Sequence, residues 1–183
     1  MRSVRTGLFA LLGPGLLLAQ GAATRAAPPP YRGLSPGLSY RAFVERANAL
    51  ADHDVLVCNT SQRTAYLMEC GVGIRDPGDG ARFYLSGHFI EQHACVIALY
   101  DSAGFHDTRG PELVARTQRD LTRVFGRHRQ RHPGAWEWNY GHQFVRLTWR
   151  ARGAGRWIDI TFIDKDVLDR IGSYEKSSGR GKT

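Results

Sequence analysis

The chain has 183 residues, 42% of them hydrophobic and 23% charged, which is near the globular average and excludes a disordered, collagen-like or coiled-coil body. No apolar run reaches the ~18 residues that a spanning helix needs, which excludes an integral membrane bundle. The net charge of +8 is concentrated, because between Arg109 and Arg131 seven Arg face only Glu112 and Asp120.

The first 27 residues have the layout of an export signal. Arg2 and Arg5 make a positive start, Leu8 to Ala19 a short apolar stretch, and Gly21, Ala22, Ala23, Ala26 and Ala27 a small-residue region. Cleavage is expected after Gly21 or Ala23, and no cysteine lies nearby to carry a lipid. Residues 28–38, opening with Pro28-Pro29-Pro30, read as an extended spacer. A single domain is expected over 39–175 and a polar, frayed tail over 176–183. Export would place the chain in the periplasm or outside the cell, where thiols oxidise. Of Cys58, Cys70 and Cys95, the pair nearest in sequence, Cys58 and Cys70, is the disulfide candidate. Cys95 sits in the apolar run Ala94–Ala98 and reads as a small buried hydrophobe.

Ser39 is a good N-cap for a helix over Tyr40–Ala51, with Phe43, Val44, Ala47 and Leu50 on its inner face. A short strand is expected at Val55–Val57 and a longer one at Ala65–Arg75, where Tyr66, Met68, Cys70, Val72 and Ile74 alternate inward. Asp76 to Gly80 is a turn. Arg82–Leu85 is a strand; Ser86-Gly87 either turns the chain or lets the strand run on to Ile90. His93–Tyr100 is almost wholly apolar and reads as a central strand.

Pro111 opens a second helix, with Leu113, Val114, Thr117, Leu121, Val124 and Phe125 inward and Gly126 as its stop. Three strands follow, Trp136–Tyr140, Phe144–Arg150 and Trp157–Ile163, and Asp164 caps a last helix. Trp136, Trp138 and Tyr140 share one strand face, read as core, which leaves Glu137 and Asn139 on the wet side. Strands in runs between helices predict an α+β fold, with antiparallel meanders, helices packed on one face, and an order that allows two helix-plus-meander units.

From Leu121 to Ile171 the chain resembles a module of small exported bacterial proteins. That module has a helix ending in aromatic-Gly (here Phe125-Gly126), a Trp-bearing strand, two further antiparallel strands and a short helix. The resemblance implies export and brings no catalytic residues with it.

Two groups of side chains are candidates for function. Arg116, Arg119, Arg123 and Arg127 recur at helical spacing and would suit an anionic partner. If Arg146, Arg150, Arg152 and Arg156 adjoin them, the patch grows. His88, His93 and Cys95 are of metal-ligand type and would suit Cu or Zn if residues 89–92 formed a hairpin connection setting His88 opposite His93. No nucleophile turn, phosphate loop or Ca²⁺ loop is legible, so no catalytic residue is assigned. The expectation is an exported binding or accessory protein of the bacterial envelope, whose partner is an envelope protein or an anionic envelope component and not a nucleic acid. A periplasmic Cu/Zn-binding or metal-delivery protein is the alternative.

Overall fold

The computed structural model describes residues 27–60, 67–75, 80, 82–101, 110–152 and 155–170. Outside them fall the leader expected over 1–27 (Ala27 excepted), the turn residues 76–79, residues 153–154 and the tail 176–183. Within them the molecule is a sheet-dominated α+β fold. Helix α1 (Tyr40–Leu50) precedes strands β1 (Val57–Thr60), β2 (Met68–Arg75), β3 (Arg82–Ile90) and β4 (His93–Tyr100). Helix α2 (Gly110–Phe125) precedes β5 (Arg129–His132), β6 (Ala135–Tyr140), β7 (Gln143–Arg152) and β8 (Gly155–Asp164). Residues 165–170 are helical. All eight strands lie in one antiparallel sheet in the order β1-β2-β3-β4-β8-β7-β6-β5. Two four-strand meanders, each preceded by a helix, thus meet through their last strands.

Local chemistry explains most boundaries. The Ser39 hydroxyl accepts a hydrogen bond from the Ala42 amide at 3.3 Å and caps α1. Gly126, at φ 77°, ends α2. The last carbonyls of that helix have no intrahelical donors, and aromatic side chains of β6 supply them. The Trp138 indole donates to the Gly126 carbonyl at 2.8 Å and the Tyr140 hydroxyl to that of Phe125 at 2.9 Å.

One core cluster joins Phe43, Ala47 and Leu50 of α1 and Val114, Leu121 and Phe125 of α2 to alternate residues of the sheet. Val72, Leu85, Ile97, Ile160, Leu147 and Trp138 are among those strand residues. Trp138 is 1% exposed, as a core side chain should be. A second, smaller cluster packs Val167 of the 165–170 helix with Ile90 and Cys95.

Three expectations need correction. Tyr31 and Leu34, read as spacer, belong to the core at 6% and 0% exposure, and the Tyr31 ring lies 6.3 Å from that of Phe125. They face inward because Arg32-Gly33 forms a tight positive-φ turn between them, closed by reciprocal 2.9 Å backbone hydrogen bonds. The second meander has four strands where three were expected. The extra one, β5, is polar throughout and follows no alternation. Finally, the hairpin connection considered over 89–92 is only Glu91-Gln92, both at positive φ, because β3 takes the second of its two alternatives and runs through Ser86-Gly87 to Ile90.

Gly87 cannot turn the chain because its missing side chain is what lets α1 approach the sheet. A Cβ there would lie 2.7 Å from the Phe89 ring and 2.9 Å from that of Phe43. Gly87→Ala is expected to lower stability by about 2 kcal/mol, read as a lower urea midpoint at unchanged slope.

Candidate functional site

Antiparallel partners share a face, so the register fixes what each side of the sheet presents. The side away from the main core carries a row running Arg129, Glu137, Arg146, Thr161, Ala98, Ser86, Gly71 and Val57 across all eight strands. The next row along reads Ala135, Thr148, Asp159, Tyr100, Tyr84 and Gly73.

Glu137 lies on this side, where it was expected to be wet, yet it is only 4% exposed. Two guanidinium groups close over it. Arg131 reaches Oε1 at 2.7 Å and Arg146 reaches Oε2 at 2.9 Å. Burial alone would raise the Glu137 pKa, but these hydrogen bonds and charges outweigh it and hold the carboxyl below the usual Glu range.

Asp159, on the neighbouring row, differs. It accepts one hydrogen bond from the Thr161 hydroxyl at 2.9 Å. Burial pushes its pKa up, against the opposing pull of Arg150 and Arg146. Burial likewise raises Tyr100, with smaller contributions from Tyr84 and Asp159. The Tyr84 and Tyr100 ring centroids are 5.2 Å apart. These groups therefore form one cluster.

The basic candidates lie elsewhere. Arg119, Arg123 and Arg127 are exposed and Arg116 is half-buried. Arg123 pairs with Asp120 at 3.1 Å. The inner side of α2 packs with Trp138 and Tyr140, on the core face. Arg146 and Arg150 lie on the other face, so the sheet separates them from the helix. β5 does not extend the helix strip either: Arg129 stands opposite Glu137 on that other face, and Arg131 is bound to Glu137.

The three metal candidates are not brought together. His88 pairs across the sheet with Val96, and His93 with Ile90, so the two imidazoles are not opposite one another. His88 Nδ1 lies 3.9 Å from Glu69, and His93 Nδ1 lies 3.0 Å from the Glu91 carbonyl. Cys95 has no partner on β3 and bulges out of register, and its thiol donates to the His88 backbone carbonyl at 3.2 Å. Burial raises the pKa of that thiol, which disfavours the thiolate a metal would need. Among the described residues, no three His, Cys, Asp or Glu side chains are grouped so as to hold a metal ion. His106 and Asp107, considered as extra ligands, lie outside those residues.

Cys58 and Cys70 do form a disulfide, directly across the β1–β2 ladder. It secures an exposed four-residue edge strand and closes a short loop, which in chain-entropy terms is worth about 3 kcal/mol.

Comparison with protein-family models, with curated proteins and with solved structures returned no match to this chain. The reading of the site therefore rests on its own geometry. One face offers a basic strip at the margin of the sheet; the other offers a satisfied ion cluster beside a Tyr–Tyr–Asp cluster. Among the described residues, neither shows a nucleophile held by a base.

Nothing in the sequence singled out Glu137, Tyr84, Tyr100 or Asp159 as site residues. Strict alternation was the available signal, since it sets Tyr84, Ser86 and His88 on one side of a strand. Their neighbours, however, come from strands distant in the chain.

The Glu137 clamp has a pH signature. Its carboxyl titrates below the ordinary Glu value of 4.5, so its stabilisation is complete above that value and is lost as pH falls through the folded value. The two Arg side chains are 46% and 40% exposed, and water screens the pairs. Glu137→Gln is therefore expected to cost only about 1–2 kcal/mol at neutral pH. The difference from the parent chain should shrink below about pH 4 in urea titrations.

Proposed function

We propose that this chain is an exported, non-catalytic binding protein of the bacterial envelope, which holds an anionic envelope component along a basic strip. The observation that carries this is the exposure of Arg119 and Arg123 on α2 and of Arg127 after it. α1 and α2 are taken to cover one face of the sheet together, so that this strip forms the rim of that layer.

The leader expected over residues 1–27 and the Cys58–Cys70 disulfide support an oxidising location, of which the periplasm is one. Among the described residues no helix is long and apolar enough to cross a membrane. The strip resembles a polyanion contact more than a protein interface. A protein interface is depleted of charge at its centre, whereas the large hydrophobic side chain exposed on α2 is a single one, Val124 at 37%. Guanidinium groups at helical spacing match repeated phosphates or carboxylates, to which each adds about 1 kcal/mol near an anionic surface.

Sedimentation with phosphatidylglycerol vesicles tests this. The parent chain is expected to bind at low salt, to release as salt rises, and to ignore neutral phosphatidylcholine vesicles. Arg119→Glu, Arg123→Glu and Arg127→Glu together should weaken binding by at least roughly tenfold. Equal binding to neutral vesicles, or no change in the triple variant, would overturn the proposal. Retention by an acidic envelope protein in place of the vesicles would also overturn it.

A further inference from the structure

We propose that the sheet face away from the main core binds a neutral polyhydroxylated ring, that is, a sugar unit. Tyr84 and Tyr100 form the platform, and Asp159, Thr161 and Arg150 the hydrogen-bonding set. This site is separate from the basic strip and takes a different class of ligand.

The platform follows from one glycine, Gly71. Tyr84 stands diagonally across from Gly71 and directly opposite Gly73. A Cβ on Gly71 would lie 2.1 Å from the Tyr84 hydroxyl oxygen. The ring therefore leans over the β2 backbone instead of standing upright, and a ring laid down in this way turns a broad face outward. Tyr100 lies beside it, with the two planes 44° apart. Aromatic faces of this kind stack against the C–H face of a pyranose, with the phenol oxygens left to hydrogen-bond at its edge.

The polar set stands next in the same row. Asp159 is the register partner of both Tyr100 and Thr148. A carboxylate offers about four acceptor sites, and the Thr161 hydroxyl takes one. Arg150, two residues along β7 from Thr148, supplies donors and is exposed. Beside the platform, Ser86, Ala98 and Thr161 carry only small side chains.

Local charge selects the ligand class. Arg146 is hydrogen-bonded to Glu137, and it and Arg150 both oppose the charge of Asp159. An anion would meet Asp159 and a cation would meet Arg150. A neutral ring that both donates and accepts can use each of them. The raised pKa values of Asp159 and Tyr100 agree with this, because groups already short of water lose little when a ligand replaces it.

The test is a heteronuclear NMR titration of the full chain with maltotriose, cellotriose and chitotriose, each to about 10 mM. At least one should shift the signals of Tyr84, Tyr100 and Asp159 and leave those of α2 in place. Tyr84→Ala and Asp159→Asn should each weaken binding roughly tenfold, and Tyr84→Phe should stay within about threefold. Gly71→Ala keeps every proposed contact group but leaves the Tyr84 ring no room, and should also weaken binding. If Tyr84→Ala fails to fold, Asp159→Asn and Tyr84→Phe decide the matter. Silence with all three sugars, shifts confined to another surface, or undiminished binding in Asp159→Asn would overturn the site.

Discussion

Five register pairs between β4 and β8, from Val96 opposite Ile163 to Tyr100 opposite Asp159, make one sheet out of two meanders. Among the described residues, no other strand pairing joins β1–β4 to β5–β8. Every other ladder closes between strands adjacent in the chain, whereas this one brings together segments about sixty residues apart. Such a contact carries loop-closure entropy before it gains anything, and so it must be strongly favoured once made. Its core-side pairs are Ile97 with Phe162 and Leu99 with Ile160, all four fully buried. The hydrophobic core repeats the logic in three dimensions, since Phe43 of α1 and Phe125 of α2 belong to the same cluster. Neither half keeps a closed core without the other.

That pairing also creates the two unlike faces. On one, alternate residues of β2–β4 and β6–β8 are apolar and belong to the main core cluster. On the other, the same alternation presents Glu69, His88, Tyr84, Tyr100, Asp159, Thr161 and Arg146. Tyr100 and Asp159 come from different meanders and become neighbours only through β4 and β8. The Tyr–Tyr–Asp cluster is thus a property of the assembled sheet and of neither half. The basic strip is local by contrast. Arg119 to Arg127 is one continuous stretch of chain, and it would stay basic in any fold that left it exposed.

This difference explains what could be read beforehand. Features carried by short-range signals were legible: the Ser39 cap, the ends of β4, the Gly126 stop, the Asp164 cap, the Cys58–Cys70 pair and the Arg spacing on α2. Features that depend on distant partners were not. Glu137 looks wet by alternation, and only the arrival of Arg131 and Arg146 from neighbouring strands makes it buried. β5 has no hydrophobic alternation because an edge strand with both faces exposed needs none, and its charges guard against edge-to-edge pairing. Tyr31 and Leu34 are too few to show a period, and the prolines before them dominate the composition. The Glu91-Gln92 turn carries neither Gly nor Asn. It is held from outside, with Gln92 accepting from the Tyr40 amide at 2.8 Å and Glu91 pairing with Arg170 at 2.9 Å. The metal reading failed at this same place, because the true turn and the bulge at Cys95 shift His88 away from His93.

Native-state hydrogen exchange tests the central claim, that β4 and β8 weld the two meanders into one cooperative unit. The slowest amides of β4 and β8 should open with a single free energy, equal to that of global unfolding and shared by the slowest amides of β3 and β7. Two distinct opening energies, one for β1–β4 and another for β5–β8, would show that the halves unfold separately and would contradict it.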